Sequence, residues 1–529
     1  MNNLADKLVE RYTDAKMRRS VYDNTLTLTA QYVWPPMQDI VRSVASETEG
    51  RVLTVNIYNS TAQDAAKRMT AGIFSYLMPI GTQWFEFMAR LDKMNKDPNI
   101  KLSLADAGQQ VHQAIWRSNF RREMFITIRS LCVFGTGIIS VEKLNGEIVY
   151  RAYHIGDMFF EENYKGEIDT VFRRMTYTAR QAKQAFKSPG DSVEKELKAD
   201  QTSKSKFEFV HCVFPNTDYD AKVGSKPYVS LFLSMADKQL VEPVSPSPGY
   251  DAMPYKIARF TKAPGEIMGR SPGTENLPDI KMLDRMTKAF IFGAEMASGP
   301  PLIIEEESVV GQPVYGPFGK IVISPGSKPP EPLKTGVNTA LNSDVILHWE
   351  NKIRSDFYND LFNALANYRN MTATEVVERI EEKMVLLAPS ISSLQKELLD
   401  PLILRTLDLL DLDLDLDFDM DIVYQGRLAL AMSNMQSNAI EAVLAKWQPY
   451  SEQYPVFDNI DLDDSFRTTA LNAGVPPDVL VDPDVRDERR QAEQDKQDMA
   501  LATQLAETGS KAYKNVNQTI EPDSLAAVL

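Results

Sequence analysis

The sequence predicts an α+β protein, and three features support that prediction. Residues 3–33 repeat apolar side chains at a spacing of about four, which is typical of a helix. The pair Asn145-Gly146 joins two alternating segments, which is the strongest short signal for a β-hairpin. Two long helical patterns, at 274–298 and 338–366, lie on either side of an insert rich in proline and glycine. A chain of 529 residues can hold about two to four such domains.

Most of the predicted strands lie in the first 273 residues. Helices are expected at 3–33, from the N-cap pair Asn59-Ser60 to about Leu77, at 101–131 and at 179–200. Strands are expected in two hairpins, at 137–151 and 157–177, and in two further segments, at 207–214 and 228–233. This part of the chain is therefore expected to combine helices with antiparallel strands.

The second half of the chain is mainly helical in pattern. Gly299-Pro300-Pro301 ends the helix at 274–298, and short strands are expected within the insert that follows. In the helix at 338–366 the apolar residues recur every four positions, from Leu341 to Phe357. This pattern predicts one continuous helix after the insert.

A third long helix is expected from Thr372 to about Leu410. Thr372 and Glu375 have the spacing of a capping box, and kinks are expected near Pro389 and Pro401. The pattern is helical again from Gly426, and the polar segment 509–529 is expected to be disordered.

Charge, cysteine content and hydropathy argue against several classes of protein. The formal net charge of -15 argues against tight nucleic-acid binding, which usually needs a basic face. Cys132 and Cys212 lie in apolar segments and are expected to be buried thiols in a reducing compartment. No apolar segment has the length of a membrane span, and no signal peptide is evident. We therefore expect a protein that is made and folded in a cytoplasm and has no contact with a membrane.

Signatures of catalysis and of bound metal are missing from the sequence. The four histidines are scattered without the spacing of zinc ligands. The nearest approach to a phosphate-binding loop is the segment 316–321, which has the wrong spacing and lacks the Ser or Thr that would hold Mg²⁺. The sequence therefore favours a protein that is not an enzyme and that uses no metal or cofactor.

The segment 411–421 alternates aspartate with apolar residues, which predicts a strand with one acidic face. Such a row of carboxylates could gather divalent cations, but no glycine stands where a calcium loop needs its sharp turn. The pattern fits better a solvated edge strand whose charges prevent pairing with other chains.

Two groups of polar residues are candidates for a functional role. Lys281, Arg285 and Lys288 lie at spacings of four and three on the first long helix, either as a solvated face or pointing at a phosphate backbone. The predicted turn after the second long helix carries Tyr368, Arg369 and Asn370, for which packing gives no reason, although polar turns are common.

Several segments in order along the chain resemble a known family. They are a helix that ends in a Leu-x-Pro with a tryptophan nearby (59–85), paired strands (150–174), Gly269-Arg270-Ser271 before a long helix, and the Thr-x-x-Glu start at Thr372. From about residue 7 to about residue 480 this order resembles the head-to-tail connector (portal) proteins of short-tailed bacteriophages of the T7-like type. The segments 302–332 and 485–529 share little with that family.

The resemblance implies a ring of about twelve identical subunits around a DNA channel. It assigns 1–273 and 372–425 to a wing, 274–298 and 338–366 to a helical stem, 299–337 to a β-containing clip, 367–371 to a channel loop and 426–508 to a helical crown before the tail at 509–529. Lys281, Arg285, Lys288 and Tyr368–Asn370 would then face DNA in the channel. Two antiparallel helices are not expected to bury Phe290, Trp349 and Phe357 by themselves, so these three side chains are candidates for the contact between subunits.

The resemblance also implies partners. Tyr315, Phe318 and Lys320 of the clip would dock a separate packaging ATPase (terminase) and later the tail adaptor and tail proteins. Scaffolding and major capsid protein would surround the ring at one vertex of the virion, and double-stranded DNA would pass through it during packaging and ejection. Two rival interpretations stay open: a metal-dependent nuclease or ATPase component of packaging that uses the acidic strand, and a scaffold or adaptor protein without a pore.

Overall fold

The structure is a computed structural model that describes part of the chain. The described residues are 2–41, 56–79, 81, 83–90, 98–200, 203–218, 225–244, 249–303, 309–312, 321–326, 328–329, 331–332, 339–360, 387–410, 420–425, 440, 442–450, 461–472 and short stretches between 481 and 508. The chain divides into two compact units, Met1–Leu428 and Ala429–Leu529.

More of the described residues of the first unit lie in helices than in strands. The helices are α1 (Asn2–Val33), α2 (Thr61–Leu77), α3 (Pro98–Arg117), α4 (Phe120–Phe134), α5 (Ala179–Ala185), α6 (Asp191–Ala199), α7 (Pro272–Glu275), α8 (Leu277–Ser298), α9 (Thr339–Asp356), α10 (Ala388–Leu394) and α11 (Asp400–Leu410). A π-helical segment, Gln395–Leu399, joins α10 to α11. Asp400 separates this segment from Pro401, which has no N–H to donate to the preceding turn, so the regular α-helical bonding is interrupted where a kink was expected.

The strands pair antiparallel throughout. They are β1 (Phe85–Ala89), β2 (Thr136–Leu144), β3 (Glu147–Ala152), β4 (Met158–Glu162), β5 (Ile168–Thr178), β6 (Lys206–Pro215), β7 (Tyr228–Ser234), β8 (Gln239–Val241), β9 (Tyr255–Arg259), β10 (Leu302–Ile303), β11 (Glu331–Pro332) and β12 (Met420–Tyr424). The largest sheet has the order β4-β5-β6-β7-β8, a second has the order β3-β2-β9, and two pairs are β1-β12 and β10-β11. The mixture of helices and antiparallel strands confirms the predicted α+β class.

The hairpin between β2 and β3 has the turn that its sequence predicted. Leu144 pairs with Glu147, so the loop contains only Asn145 and Gly146. Both adopt left-handed backbone angles, with φ of 52° and 86°. Asn and Gly are the residues that tolerate this conformation, and the resulting turn matches the twist of the two strands. The predicted hairpin at 157–177 and the predicted strands at 207–214 and 228–233 are also confirmed, as β4–β5, β6 and β7.

Two predicted helices are each broken in two. The helix expected at 101–131 divides into α3 and α4, because Asn119 leaves the helical path and its side chain bonds both the N–H and the carbonyl of Tyr150 on β3, at 2.9 and 2.8 Å. The helix expected at 179–200 divides into α5 and α6 at Pro189-Gly190, where Gly190 has a φ of 110°. A contact with another element outweighs the helical pattern at the first break, and the backbone preferences of proline and glycine outweigh it at the second.

Three groups of buried apolar side chains form the core of the first unit. The main group joins the C-terminal half of α1 to α2, α3, α4, β1, β2, β9, α8, α9 and the segment 387–410. A second group packs the N-terminal half of α1 on the large sheet, and a third packs α5 and α6 against the other side of that sheet. Cys132 and Cys212 lie in these groups, and burial raises the pKa of each thiol to about 12.

His211 on β6 is enclosed as a neutral histidine. Its Nδ1 lies 2.7 Å from the hydroxyl of Tyr255, its Nε2 lies 2.9 Å from the hydroxyl of Ser230, and its ring stacks on Phe232 with 4.3 Å between centroids. Burial, together with the nearby positive charge of Arg173, lowers the pKa of His211 to about 3.

We expect His211 to make the first unit sensitive to acid. Between the ordinary pKa of 6.5 and the folded-state pKa of about 3, the unfolded chain binds a proton that the folded chain does not, so stability falls as the pH falls through this window. At pH 5 the free energy of unfolding should be about 2 kcal/mol lower than it would be with a neutral histidine in both states. Urea unfolding at pH 7 and pH 5 gives the loss of unfolding free energy on acidification for the wild type and for His211→Gln. The difference between the two losses is the effect of His211. If the two proteins lose the same free energy on acidification, His211 is not the group responsible.

The described residues of the second unit include a helix at 442–447 and α12 (Leu462–Asn472). None of the side chains described in this unit is buried, and Trp447, Tyr450 and Phe466 are exposed. Asp463 on α12 pairs with Arg490 at 2.8 Å and with Arg486 at 3.3 Å. No helix among the described residues has both the length and the apolar character of a membrane span. The described residues contain no cluster of three or more His, Cys, Asp or Glu able to hold a metal ion.

Candidate functional site

The two long helices that were predicted around the insert form an antiparallel pair. Lys352, near the end of α9, forms an ion pair with Asp279, in the first turn of α8. Farther along, the side-chain amide of Asn59 donates to Thr287 Oγ1 of α8 at 3.2 Å and to Glu350 Oε1 of α9 at 3.1 Å. The start of one helix therefore lies beside the end of the other, and a third segment joins them.

That third segment is the chain entering α2, and a buried aspartate of α8 holds it. Asp284 Oδ1 accepts hydrogen bonds from the backbone N–H groups of Tyr58 and Asn59, at 2.7 and 3.0 Å. Asn59 Oδ1 in turn accepts from the N–H of Thr61 at 2.9 Å, so the predicted capping role at the start of α2 belongs to Asn59 and not to Ser60. We call Asp284, Asn59, Tyr58, Thr287 and Glu350 the stem root, because they fix the helix pair to the rest of the first unit.

Burial changes steadily along the helix pair. On α8 the buried residues are confined to the first two turns and the turns from Lys288 onward are partly or fully exposed. On α9 the order is reversed: Ile353 is buried near the end, whereas the described residues of the first half are mostly exposed. Because the helices are antiparallel, their exposed halves lie together. These distal halves carry large exposed apolar side chains, namely Ile291, Phe292, Met296, Val345 and Leu347.

The three cations proposed for α8 have different degrees of exposure. Lys281 is half-buried, and Arg285 and Lys288 are exposed. Lys288 Nζ lies 5.1 Å from the ring centroid of Tyr58 and 5.8 Å from that of Phe292, which is the geometry of a weak cation–π contact. No ion pair joins any of the three to another residue in the described part of the chain. They stay predicted DNA-facing residues.

The three aromatic candidates for subunit contact are not equivalent. Phe290 and Trp349 are half-buried, and the Trp349 ring has Lys352 Nζ at 4.8 Å from its centroid. Phe357 is 0% exposed and lies in the main apolar group of its own chain. The expectation that the helix pair needs a neighbour to bury Phe357 is therefore wrong, because α1–α4 and the segment 387–410 supply that core. An interface role for Phe290 and Trp349 stays a prediction.

The helix predicted at 338–366 is also interrupted. α9 ends at Asp356, and Tyr358 adopts a left-handed φ of 55°, which a helix cannot include. Phe357 and Asn359 on either side are buried. The chain changes direction at this point so that Phe357 enters the core, and this outweighs the regular spacing of apolar residues.

Part of the predicted site lies outside the described residues. This applies to Tyr368, Arg369 and Asn370, to the capping box at Thr372, to nearly all of the aspartate-rich segment, and to Tyr315, Phe318 and Lys320. In the insert, Leu302–Ile303 forms the expected strand and pairs antiparallel with Glu331–Pro332, and Val309 forms a bridge with Ile323. The strand that follows α8 therefore pairs with a strand near the far end of the insert.

Sequence reasoning missed a buried ionic cluster at the end of β9. Arg259 is 5% exposed, and its guanidinium contacts Glu397 at 2.6 Å, Glu162 and the carbonyl of Gly166 at 3.2 Å. Its backbone N–H also donates to Glu397 Oε2 at 2.8 Å. Lys262 adds a second cation, 2.6 Å from Glu162. An arginine inside an apolar strand signals that a carboxylate must lie nearby, but nothing in the local sequence identifies Glu397.

Comparisons with known proteins agree with this architecture. A family model described as bacteriophage head to tail connecting protein matches residues 5–480. The portal protein of Salmonella phage epsilon15 is 24% identical over 558 aligned positions, which cover 99% of this chain and 97% of that protein. The probable portal protein of Bordetella phage BPP-1 is 24% identical over 481 positions, which cover 86% of each chain. The family model spans far more than half of the chain, and the protein therefore belongs to the bacteriophage head-to-tail connecting proteins.

Proposed function

We propose that this protein is the portal of a phage of the short-tailed, T7-like type, a ring of about twelve subunits at one vertex of the capsid. The family places its function at the junction of head and tail, and both relatives carry the name portal protein. The ring would provide the channel for DNA during packaging and ejection. It would be assembled in the host cytoplasm and remain in the virion.

The observation that carries this proposal is the exposed apolar surface of the distal helix pair. Phe292 is 50% exposed and Leu347 is 53% exposed, although both lie on helices that are firmly bonded at the stem root. Several large exposed apolar side chains on two paired helices favour a site of association. Copies related by rotation about one axis can pack one face of the helix pair against a different face of the next copy, and such head-to-tail contacts can close a ring.

Charge and the insert agree with a channel and a docking site. The chain has 73 Asp and Glu against 58 Lys and Arg, and this excess of negative charge would let DNA move past it without being held. Lys281, Arg285, Lys288 and the loop 367–371 would supply the limited contacts of the channel. The insert 299–337 would form a clip that docks a terminase ATPase and then tail proteins, while the wing meets scaffolding and capsid protein.

We expect ring assembly to weaken when the distal apolar surface is made polar. In the double variant Phe292→Ser/Leu347→Ser the subunit contact loses two side chains that are about half exposed in the single chain. The expected cost of about 1.5–3 kcal/mol per contact corresponds to a roughly tenfold to hundredfold weaker association. Mass photometry over a concentration series measures the fraction of rings, and negative-stain images show whether a central hole is present.

The control changes two apolar residues elsewhere that are even more exposed. Met17→Ser/Val21→Ser on α1 alters side chains that are 66% and 79% exposed, and rings should form as in the wild type. Equal loss of rings in both double variants would remove the helix pair from the interface. A wild type that shows only monomers or filaments without a hole would reject the portal proposal itself.

A further inference from the structure

A small basic surface surrounds the turn between α3 and α4. Arg117 lies in the last turn of α3, and Arg121 and Arg122 lie in the first turn of α4, with only Ser118 and Asn119 between the two helices. All three arginines are exposed, and the neighbouring Trp116 is 47% exposed. Three cations within six positions stand out in a chain with a net charge of -15. We call these four residues the α3–α4 basic surface.

Among the described residues, few groups neutralise this surface. Arg122 Nη2 lies 2.8 Å from Glu123 Oε1, but the other oxygen of Glu123 accepts the backbone N–H of Ala152 at 2.9 Å. The guanidinium of Arg121 lies 6.0 Å above the ring of Phe74. Within the described residues, neither Arg117 nor Arg121 forms an ion pair. Of the three guanidinium groups, that of Arg122 alone has a carboxylate partner among the described residues, and this carboxylate also accepts the N–H of Ala152.

Local electrostatics alone would not favour this arrangement. Arg117 suits the end of α3, where the helix dipole is negative, but Arg121 and Arg122 lie at the positive end of α4. The N-cap residue Asn119 gives no side-chain hydrogen bond to α4, because its amide is bonded to Tyr150. The start of α4 therefore adds positive potential to that of the arginines, and an external anion would relieve it.

We propose that Trp116, Arg117, Arg121 and Arg122 bind the sugar-phosphate backbone of double-stranded DNA at a place separate from the helix pair. Guanidinium groups and an indole N–H are donors only, which suits phosphate oxygens and gives no pattern for reading bases. Duplex DNA offers a dense, regular row of such oxygens, about one charge per 1.7 Å of its axis. The surface has no acceptor and only one large apolar side chain to offer a protein segment. The inference rests on the proposed function only in that DNA is present beside this protein.

The test is the salt dependence of binding to a duplex of about 30 base pairs by the full chain. In the variant Arg117→Gln/Arg121→Gln/Arg122→Gln three phosphate contacts are lost, so the slope of log K against log salt should become shallower by about 2.7. Between 50 and 200 mM salt, the wild type should lose about fortyfold more affinity than the variant for each bound chain. Fluorescence anisotropy of labelled DNA gives both values.

The control variant is Lys183→Gln/Lys195→Gln/Lys198→Gln, which makes the same change in net charge at exposed residues of α5 and α6. Its salt slope should equal that of the wild type. Equal losses in both triple variants, or no loss in the arginine variant, would overturn the proposal. So would displacement of DNA by polyglutamate at equal charge concentration, since that result would indicate an acidic protein as the partner. The molecular mass of the assembly in the same samples shows separately whether rings form. A failure of the portal proposal can therefore be told apart from a failure of the DNA-binding inference.

Discussion

Asp284→Ala is expected to lower the free energy of unfolding of the first unit by about 3–5 kcal/mol. One carboxylate oxygen of Asp284 accepts two backbone N–H groups, from Tyr58 and Asn59, at a site where the aspartate is only 6% exposed. Alanine removes both charge-assisted bonds and leaves two donors without a partner. Because Asn59 also bonds α8 and α9, the stem root as a whole should loosen.

The control for this prediction lies one and a half turns earlier on the same helix. Asp279→Ala makes the same chemical change, but Asp279 pairs with Lys352, which is exposed enough for solvent to screen the pair. Its expected cost is about 0.2–1 kcal/mol. Asp284→Asn keeps an acceptor oxygen and should fall between the two alanine variants. Urea unfolding followed by tryptophan fluorescence measures all three, and equal costs for Asp284→Ala and Asp279→Ala would show that the stem root contributes little.

Local patterns predicted well those elements whose cause is local. The turn at Asn145-Gly146, the helix before Pro35 and the end of α8 at Ser298 follow from the backbone preferences of the residues themselves. Predictions failed where a distant partner decides the structure. Asn119 breaks a helix because Tyr150 needs its amide, and Phe357 ends one because the core has room for its ring. Neither partner can be recognised from neighbouring residues.

The candidate site shows the same division. Helical spacing was sufficient to predict the helix pair, because the period of the apolar residues follows from the geometry of a helix. Contact of Lys281, Arg285 and Lys288 with DNA stays a prediction. The sequence did not indicate a role for Asp284, because its hydrogen-bond donors, the N–H groups of Tyr58 and Asn59, lie 226 and 225 positions away in the chain. A lone aspartate among apolar positions of a helix is the available signal. It indicates that a buried carboxylate needs donors without showing which donors they are.

The buried cluster around Arg259 should be as costly to break as the stem root. Burial by itself would lower the pKa of Arg259, but its hydrogen bonds and charge interaction with Glu397 outweigh burial and raise the pKa, so the guanidinium stays charged. Arg259→Met leaves Glu397 without its cation and removes one of the two cations beside Glu162. Removing one member of such a buried group costs about 3–5 kcal/mol, because an uncompensated charge remains.

The double variant Arg259→Met/Glu397→Met distinguishes the cost of losing the ion pair from the cost of leaving one buried charge without a partner. It removes the carboxylate that the single variant leaves behind, and Glu162 keeps Lys262 at 2.6 Å, so its cost should be well below that of Arg259→Met. Arg270→Met at the exposed pair with Glu266 is the control, with an expected cost of about 0.5 kcal/mol or less.

A double variant that is no more stable than Arg259→Met would contradict this account and point to a second role of Glu397. That carboxylate belongs to the π-helical segment before Pro401 and also accepts the N–H of Arg259. Its two tasks can be told apart because Glu397→Gln keeps an acceptor for the N–H but loses the charge. If Glu397→Gln restores the stability of Arg259→Met better than Glu397→Met does, the backbone bond to β9 is what holds the π-helical segment in place.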